Sequence, residues 1–222
     1  MFYIIIIGVK NIEILHEDAL SIIVNKPAGL SVQGGKDIKT SLDKLLNEYL
    51  KDSNTRAYLV HRIDKDTSGV ILAAKTSEAA AGFSRIFGER RKVVKIYTAV
   101  CAGIPRENKG IINDELMIRG SLKKSQTGYK LIKSGKIEEA EQEYSLLELD
   151  LETGRMHQIR RHLSLFGNPI LGDDKYGDFT LNKKLRKTTG LKRLLLHACR
   201  LVIKEFDIDI TAPAPIYFNR YI

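Results

Sequence analysis

The chain has 222 residues, 43% of them apolar, which is enough to bury the core of one large domain or of two small lobes. Its formal net charge of +9, with 36 Lys and Arg against 27 Asp and Glu, favours a polyanionic partner such as nucleic acid. The two cysteines, Cys101 and Cys199, lie far apart and form no CxxC pair, which excludes a zinc ribbon and a thioredoxin motif.

The first ten residues, MFYIIIIGVK, lack the basic start and the nearby cleavage site of a secretory signal. Their apolar run is far shorter than the roughly 20 residues that cross a bilayer. The β-branched residues 4–7 predict a buried strand instead. Both cysteines lie in apolar, strand-like runs and are expected to be buried, reduced thiols. The sequence therefore predicts a cytoplasmic protein without a membrane segment.

The first half of the chain alternates predicted strands with helices. Strands are predicted at residues 12–15, 20–24, 58–60 and 70–74, and a helix at residues 78–87 after Thr76 or Ser77. A further helix after Thr40 or Ser41 has the spacing of a buried face at Leu42, Leu45, Leu46 and Tyr49. Between two of the apolar strands lies a polar loop, residues 61–69, with the sequence HRIDKDTSG. Because a rigid scaffold would position this loop, it is a good place for chemistry.

The second half is predicted to be rich in strands. Strands are expected at residues 93–102, 141–151 and 194–203, and a helix near residues 156–165. Residues 104–136 are polar and Lys-rich, which predicts a hairpin or a long surface insertion, and residues 168–176 form a Gly- and Asp-rich loop. Many strands with few helices predict an α+β fold around a mixed, mostly antiparallel sheet.

Two carboxylates, Asp64 and Asp66, lie in the polar loop. In an extended segment they would share one face, whereas in a turn they would point apart. Each also fits a purely structural role, that of capping a turn beside Thr67 and Ser68. The spacing alone therefore does not rank them as candidates for a catalytic group.

A second cluster, residues 154–163, has the sequence GRMHQIRRHL. One helix face is predicted to be buried because its apolar residues stand at i, i+4 and i+7, namely Ile159, Leu163 and Phe166. Arg160 lies at the edge of that face, where a partly buried guanidinium needs an acidic partner. Arg155 and Arg161 are expected to face solvent or phosphate.

No metal site is predicted in this cluster. His157 and His162 are five residues apart, and the i, i+4 spacing of an HExxH helix is absent. A third candidate, Tyr97, follows Lys95 on a predicted strand. A Tyr that faces a cleft can stack on a nucleic-acid base, although strand propensity alone favours a Tyr half-buried in the sheet.

Together these clusters resemble the RluA-type family of pseudouridine synthases. The family's HRLD..TSG stretch stands here as residues 61–69, with Ile63 in place of leucine, its GR.HQIR..L stretch as residues 154–163, and its K.Y element as Lys95 to Tyr97. Further family-like stretches are residues 24–30, 167–173, Tyr176 with Gly177, and 196–198. The resemblance runs in family order from about Ile12 to beyond Ala198.

The resemblance implies the pseudouridine synthase fold, with a central sheet flanked by helices and a cleft across its middle. It also implies an isomerase that flips a uridine out of structured RNA, a ribosomal RNA or tRNA stem-loop, and needs no cofactor and no metal. The carboxylate of Asp64 would start the breakage of the C1′–N1 bond, either by attack on the ribose or as a base at C2′. The freed uracil would turn and bond again through C5.

The same resemblance assigns roles to further residues. Tyr97 would pack on the base and assist the proton at C5, and Arg160 would pair with Asp64 and keep it charged. Arg62 would enter the RNA stack in place of the flipped base. Three more residues are expected to contact the substrate or line the pocket: Thr67, Leu196 and His197.

The family-like part begins near residue 12, so we expect one catalytic domain, residues 1–222, without the N-terminal S4 domain of many family members. RNA selection would then come from the basic surface of the catalytic domain itself, including residues 119–136. A monomer is expected. Two rival hypotheses are a non-catalytic RNA-binding assembly factor with the same fold and a metal-dependent nuclease that uses Asp64, Asp66, Asp173 and Asp174.

Overall fold

The structure is a computed structural model that describes residues 3–7, 10–35, 38–89 and 91–222. Its strands are β1 Tyr3–Ile7, β2 Lys10–Glu17, β3 Ser21–Lys26, β4 Tyr58–Leu59, β5 Ser68–Ala74, β6 Val94–Ala102, β7 Lys109–Ile112, β8 Leu116–Ile118, β9 Ser121–Lys123, β10 Thr127–Ile137, β11 Gln142–Leu151, β12 Leu196–Ile203 and β13 Ile208–Thr211. Its helices are α1 Leu42–Tyr49, α2 Ser77–Gly88, α3 Gln158–Leu165 and α4 Phe179–Thr188.

The chain forms two compact units. The first unit comprises residues 1–94 and 198–213, and the second comprises residues 95–197 and 214–222. The boundary passes through β12, whose first two residues belong to the second unit.

In the first unit the strand order is β1-β2-β3-β5-β12, with β4 beside β5 and β13 beside β12. All seven residues of β5 are buried, as expected for a strand covered on both faces. Thr76 caps the start of helix α2, because its hydroxyl accepts a hydrogen bond from the amide of Ala79 at 3.1 Å. The helix places Phe83 and Ile86 in the core, at 1% and 0% exposure. Antiparallel pairing of β3 with β5 sets Lys26 opposite Gly69, where the polar loop enters β5.

In the second unit the strand order is β6-β11-β10-β7, and each of these neighbouring pairs is antiparallel. The pairing of β6 with β11 sets Tyr97 opposite Leu149. Strands β8 and β9 form a separate hairpin. Its backbone contacts α3, because a guanidinium nitrogen of Arg161 donates to the carbonyl of Met117 at 2.9 Å.

The structure confirms the α+β class and the mostly antiparallel sheet, and each predicted strand and helix has a counterpart. The cleft across the middle stays a prediction. Residues 4–7 lie in β1 as expected, while the predicted burial of their side chains lies outside what the structure describes. No helix among the described residues is long and apolar enough to span a bilayer.

Several local predictions were wrong. Of the two alternatives for residues 104–136, the hairpin is confirmed by β8 and β9, and the surface insertion is wrong, because this range also supplies β7 and most of β10 to the sheet. Helix α4 was not predicted. Phe166 is 37% exposed and packs beside the ring of Tyr129 instead of in the core. Cys101 is buried, which raises the pKa of its thiol, whereas Cys199 is only half-buried.

Candidate active site

The polar loop joins β4 to β5 in the first unit. Its side chains divide by exposure: Arg62 is exposed, Asp64 and Asp66 are half-buried, and Ile63 is 6% exposed. Ile63 thus anchors the loop in the core while its charged neighbours stay within reach of a ligand. The structure makes no sharper distinction between the two carboxylates by burial.

A buried lysine holds the backbone of this loop. Lys26, at the end of β3, is 0% exposed, and its Nζ donates to the carbonyl oxygens of Pro27 at 3.0 Å, Leu30 at 2.9 Å and Lys65 at 2.9 Å. The amide of Gly29 also donates to the Lys65 carbonyl at 2.8 Å. Because Lys65 follows Asp64 directly, these contacts fix the main chain beside the candidate catalytic carboxylate.

The two ends of the loop are fixed as well. The amide of Leu72 donates to Nε2 of His61 at 2.9 Å, so this nitrogen carries no proton, and the ring stacks on Phe87 with 4.5 Å between centroids. At the other end Gly69 has φ +117, and a Cβ there would lie 2.1 Å from the carbonyl oxygen of Ala198. A glycine is therefore required where the loop enters β5.

Thr67 is more deeply buried than expected for a side chain that contacts substrate at the protein surface. It is 1% exposed, its amide donates to the Asp64 carbonyl at 3.2 Å, and its hydroxyl is buried without a hydrogen-bond partner in the described part of the chain. An unsatisfied buried hydroxyl is unusual in a folded protein. A role for Thr67 toward substrate stays a prediction.

In the second unit, a satisfied amide fixes the start of α3. Gln158 is 2% exposed, and its Oε1 accepts from the hydroxyl of Thr153 at 2.7 Å and the amide of Arg155 at 3.1 Å. Its Nε2 donates to the Gln126 carbonyl and to the Thr127 hydroxyl, both at 2.9 Å. All four polar contacts of the side chain are inside the protein, so the turn before α3 has little freedom.

His162 lies one turn further along α3 and is 0% exposed. Its Nδ1 lies 2.9 Å from the Thr127 hydroxyl, and its Nε2 lies 3.0 Å from the Ser125 hydroxyl and 3.1 Å from the Asp114 carbonyl oxygen. Burial lowers the pKa of His162, outweighing the opposite effect of the Asp114 carbonyl. The structure therefore gives this histidine a supporting role in the fold.

Arg160 is 5% exposed and is held by a buried carboxylate of its own unit. Its Nε donates to Oδ2 of Asp173 at 2.8 Å and its Nη2 to Oδ1 at 2.7 Å, a two-pronged contact that fixes the plane of the guanidinium. The ring of Tyr176 lies 5.3 Å from the guanidinium carbon. The Asp173 fork uses two of the five N–H donors of the guanidinium. The predicted pairing of Arg160 with Asp64 stays a prediction.

Asp173 organises the loop around itself as well. Although burial opposes its charge, the hydrogen bonds from Arg160 and from the amides of Tyr176 and Lys175 lower the pKa of the Asp173 carboxyl. It therefore stays ionised and balances the buried guanidinium. The sequence had suggested an acidic partner for Arg160 without pointing to Asp173, although the residue lies in a family-like stretch.

The remaining predicted residues lie on strands of the second unit. Tyr97 on β6 is 8% exposed, and at the start of β12 Leu196 is 3% and His197 is 0% exposed. The ring of His197 lies 6.0 Å from that of Phe218. Such depth suits residues that line a pocket.

A half-buried lysine, Lys95, lies on β6. Burial lowers the pKa of Lys95, two residues before Tyr97, although Asp150 acts in the opposite direction. Among the described residues, no group of three or more His, Cys, Asp or Glu side chains is arranged to hold a metal ion.

Comparison with known proteins identifies the family. The model of the RNA pseudouridylate synthase family matches residues 21–165, a span that includes residues 61–69 and 154–163. Ribosomal large subunit pseudouridine synthase C of Rickettsia felis is 38% identical over 93% of this chain and 68% of its own length. tRNA pseudouridine synthase C of Haemophilus ducreyi is 36% identical over 84% of this chain and 83% of its own.

Solved structures agree with these relatives. Human RNA Pseudouridylate Synthase Domain Containing 1 has a TM-score of 0.78 and 27% identity, covering 94% of this chain and 85% of that one. Human RNA Pseudouridylate Synthase Domain Containing 4 has a TM-score of 0.76, also at 27% identity. The chain therefore belongs to the RNA pseudouridylate synthase family and is an RNA pseudouridine synthase.

Proposed function

We propose that this enzyme isomerises uridines in RNA of the large ribosomal subunit, with Asp64 as its catalytic carboxylate. Relatives named for that substrate are 33–38% identical over 93–94% of the chain in organisms such as Rickettsia felis and Buchnera aphidicola. The family match over residues 21–165 is the observation that carries the proposal. A tRNA substrate, as in the name of the Haemophilus ducreyi relative, is the alternative that the experiment below distinguishes.

In the proposed reaction the carboxylate of Asp64 acts on the flipped nucleotide, either at C1′ or as a base at C2′, and the C1′–N1 bond breaks. The freed uracil turns and C5 bonds to C1′. On the first route the ester bond between Asp64 and C1′ breaks as C5 attacks, and on the second route Asp64 returns the proton to C2′. C5 then loses its proton and N1 gains one, directly or through solvent, so that the atoms balance in an isomerisation. The buried ammonium of Lys26 supports this role because it fixes the backbone that carries Asp64. A catalytic group held in this way needs little reorganisation in the transition state.

The other proposed roles are those that the family resemblance implies. Exposed Arg62 replaces the flipped base in the RNA stack, and Tyr97 packs on the uracil and assists the C5 proton. Arg160, whose guanidinium plane is fixed by Asp173, pairs with Asp64. The pocket is lined by Thr67, Leu196 and His197.

We also propose that residues 1–222 act as one catalytic domain, a monomer in the cytoplasm. In support, one family motif, residues 61–69, lies in the first compact unit, and the other, residues 154–163, lies in the second. Either unit alone would lack a proposed catalytic residue.

The experiment is to map pseudouridines in total RNA from cells with and without this protein. We expect sites in large-subunit ribosomal RNA that disappear with the gene and return when the wild-type chain is supplied. If the sites that disappear were confined to tRNA, tRNA would be the substrate and the ribosomal RNA proposal would be wrong. An unchanged map would favour the non-catalytic assembly factor, which no observation on the molecule supports at present.

A further inference from the structure

The most basic segment of the second unit is α4 with the turn that follows it. Between residues 179 and 193 there is no acidic residue, and six side chains are basic: Lys183, Lys184, Arg186, Lys187, Lys192 and Arg193. All six are exposed. None of the roles proposed above uses this segment, so its charge has no assigned purpose.

One face of α4 lines a cavity of about 360 Å³. Phe179, Lys183 and Arg186 stand at i, i+4 and i+7 on this face, and Lys192 closes the cavity from the turn. The volume lies within the roughly 300–1,000 Å³ range of small-molecule sites. Phe179 is 62% exposed, so its side chain is open to a ligand in the cavity.

The cavity is built on fixed backbone. Asn182, which also lines it, accepts a hydrogen bond from the amide of Gly172 at 2.9 Å and donates one to the Asp173 carbonyl at 2.8 Å. Gly172 has φ +75, and a Cβ there would lie 2.0 Å from the carbonyl oxygen of Arg193, so the two walls pack closely. The wall of the cavity is thus the same loop that holds Arg160 through Asp173.

We propose that this cavity binds one unpaired nucleotide of the RNA substrate, separate from the uridine that reacts. The base stacks on the exposed ring of Phe179, and the flanking phosphates contact Lys183, Arg186 and Lys192. An aromatic face beside several cations is the combination that binds single-stranded RNA. The lining carries three cations against the single carboxylate of Asp174, so its net charge attracts an anion. The proposal rests on RNA being the substrate.

Two double variants on the same helix test the site. Lys183→Ala/Arg186→Ala removes two charges that line the cavity, while Lys184→Ala/Lys187→Ala removes two exposed charges that do not. The probe is a labelled single-stranded uridine dodecamer, and binding is measured by anisotropy over a range of salt concentrations. The first variant should bind about tenfold more weakly and lower the log–log salt slope by about 1.4. The second should change binding less than about twofold.

Phe179→Ala tests the stacking contact. It should weaken binding of the dodecamer by about tenfold while leaving binding of a twelve-base-pair RNA duplex unchanged, because paired bases cannot reach the ring. The proposal would be overturned if both double variants lost the same amount of binding affinity, or if Phe179→Ala weakened binding of single strand and duplex equally. Only non-specific electrostatic attraction to RNA would then remain. Circular dichroism of each variant checks the fold.

Failure of this proposal is distinguishable from failure of the proposed function. If the wild-type enzyme forms pseudouridine but the two double variants bind alike, the cavity proposal alone is wrong. If the wild type forms no pseudouridine in any RNA but the two double variants still differ in RNA affinity as expected, the substrate proposal is wrong and the cavity still binds nucleotides.

Discussion

The polar loop carries Asp64, and helix α3 carries Arg160. Each of these two elements is held by a buried charged group, and in both cases its charge is opposite to that of the residue carried. In the first unit the ammonium of Lys26 binds the main-chain carbonyl oxygens of Pro27, Leu30 and Lys65, the last of which directly follows Asp64. In the second unit the carboxylate of Asp173 binds the guanidinium of Arg160 itself, together with two backbone amides. Lys26 thus positions a loop, whereas Asp173 positions a side chain.

This difference determines what a substitution will do. Without Lys26 the carbonyl oxygens lose a buried donor, so the fold of the loop and everything on it should suffer. Without the charge of Asp173 the backbone of the loop keeps other contacts, but Arg160 is left as a buried cation without a full counter-charge. We therefore expect a large loss of stability in the first case, and in the second a smaller loss together with a change in the pH dependence of catalysis.

The largest expected effect is on activity. Asp64→Asn keeps the shape of the side chain and removes its charge, so pseudouridine formation should fall below about one thousandth of the wild-type rate. Asp66→Asn is the matched control, since Asp66 lies in the same loop and is also half-buried. The rates are measured in single turnover at saturating RNA. An inactive Asp66→Asn beside an active Asp64→Asn would reverse the assignment.

Lys26→Met comes next. Removing the ammonium leaves three carbonyl oxygens without their shared donor, at a cost of about 3–5 kcal/mol in the free energy of unfolding. Lys65→Met is the control, because the Lys65 side chain is exposed and should contribute less than about 0.5 kcal/mol. Urea unfolding measures both. Equal stabilities would show that Lys26 does not hold the loop.

Asp173→Asn should cost about 3 kcal/mol, because a buried guanidinium loses the charge of its partner. Asp174→Asn is an unusually close control: the neighbouring carboxylate is 81% exposed and 3.5 Å from the same guanidinium, and its loss should cost less than about 0.5 kcal/mol. Activity adds a second readout. If Asp173 orients Arg160 for catalysis, the pH–rate profile of Asp173→Asn should shift, while that of Asp174→Asn should match the wild type.

Much of the fold could be predicted from patterns of apolar residues, and the errors have local causes. Helix α4 was missed because only Leu185 of its ten residues is buried, so its sequence has no long apolar stripe. Strand β10 was taken for part of an insertion because lysines occupy its solvent-facing positions, including Lys130, Lys133 and Lys136. Both elements owe their structure to packing against the rest of the second unit.

The candidate site shows a similar division. Sequence motifs pointed to Asp64 and Arg160 but did not predict that Lys26 holds the loop or that Asp173 pairs with Arg160. The reason is distance along the chain, since Lys26 and Lys65 are 39 residues apart and Arg160 and Asp173 are 13 apart. A signal was present in one case: a lysine at the end of the apolar strand β3, next to Pro27, is an unexpected residue at a position that the strand buries.

The smallest expected effect is an acid dependence of stability that arises in the second unit. His162 follows Arg160 by two residues on α3, and burial lowers its pKa below the ordinary value of 6.5. In the unfolded chain this histidine takes up a proton near pH 6.5, whereas in the folded chain it stays neutral to lower pH. Its contribution to stability is therefore complete above pH 6.5 and is lost as the pH falls below that value, by at most about 1.4 kcal/mol per pH unit.

His162→Gln keeps hydrogen-bonding groups at this position but does not titrate. We expect the difference in unfolding free energy between wild type and His162→Gln to be constant from pH 8 down to about 6.5 and to shrink toward pH 5. Asp173 acts at a different pH, because its carboxyl has a lowered pKa and its contribution is lost only below about pH 3.8. A wild-type advantage that grows between pH 6.5 and 5 would mean that folding raises the pKa of His162, and that the charged imidazole is stabilised beside Asp114.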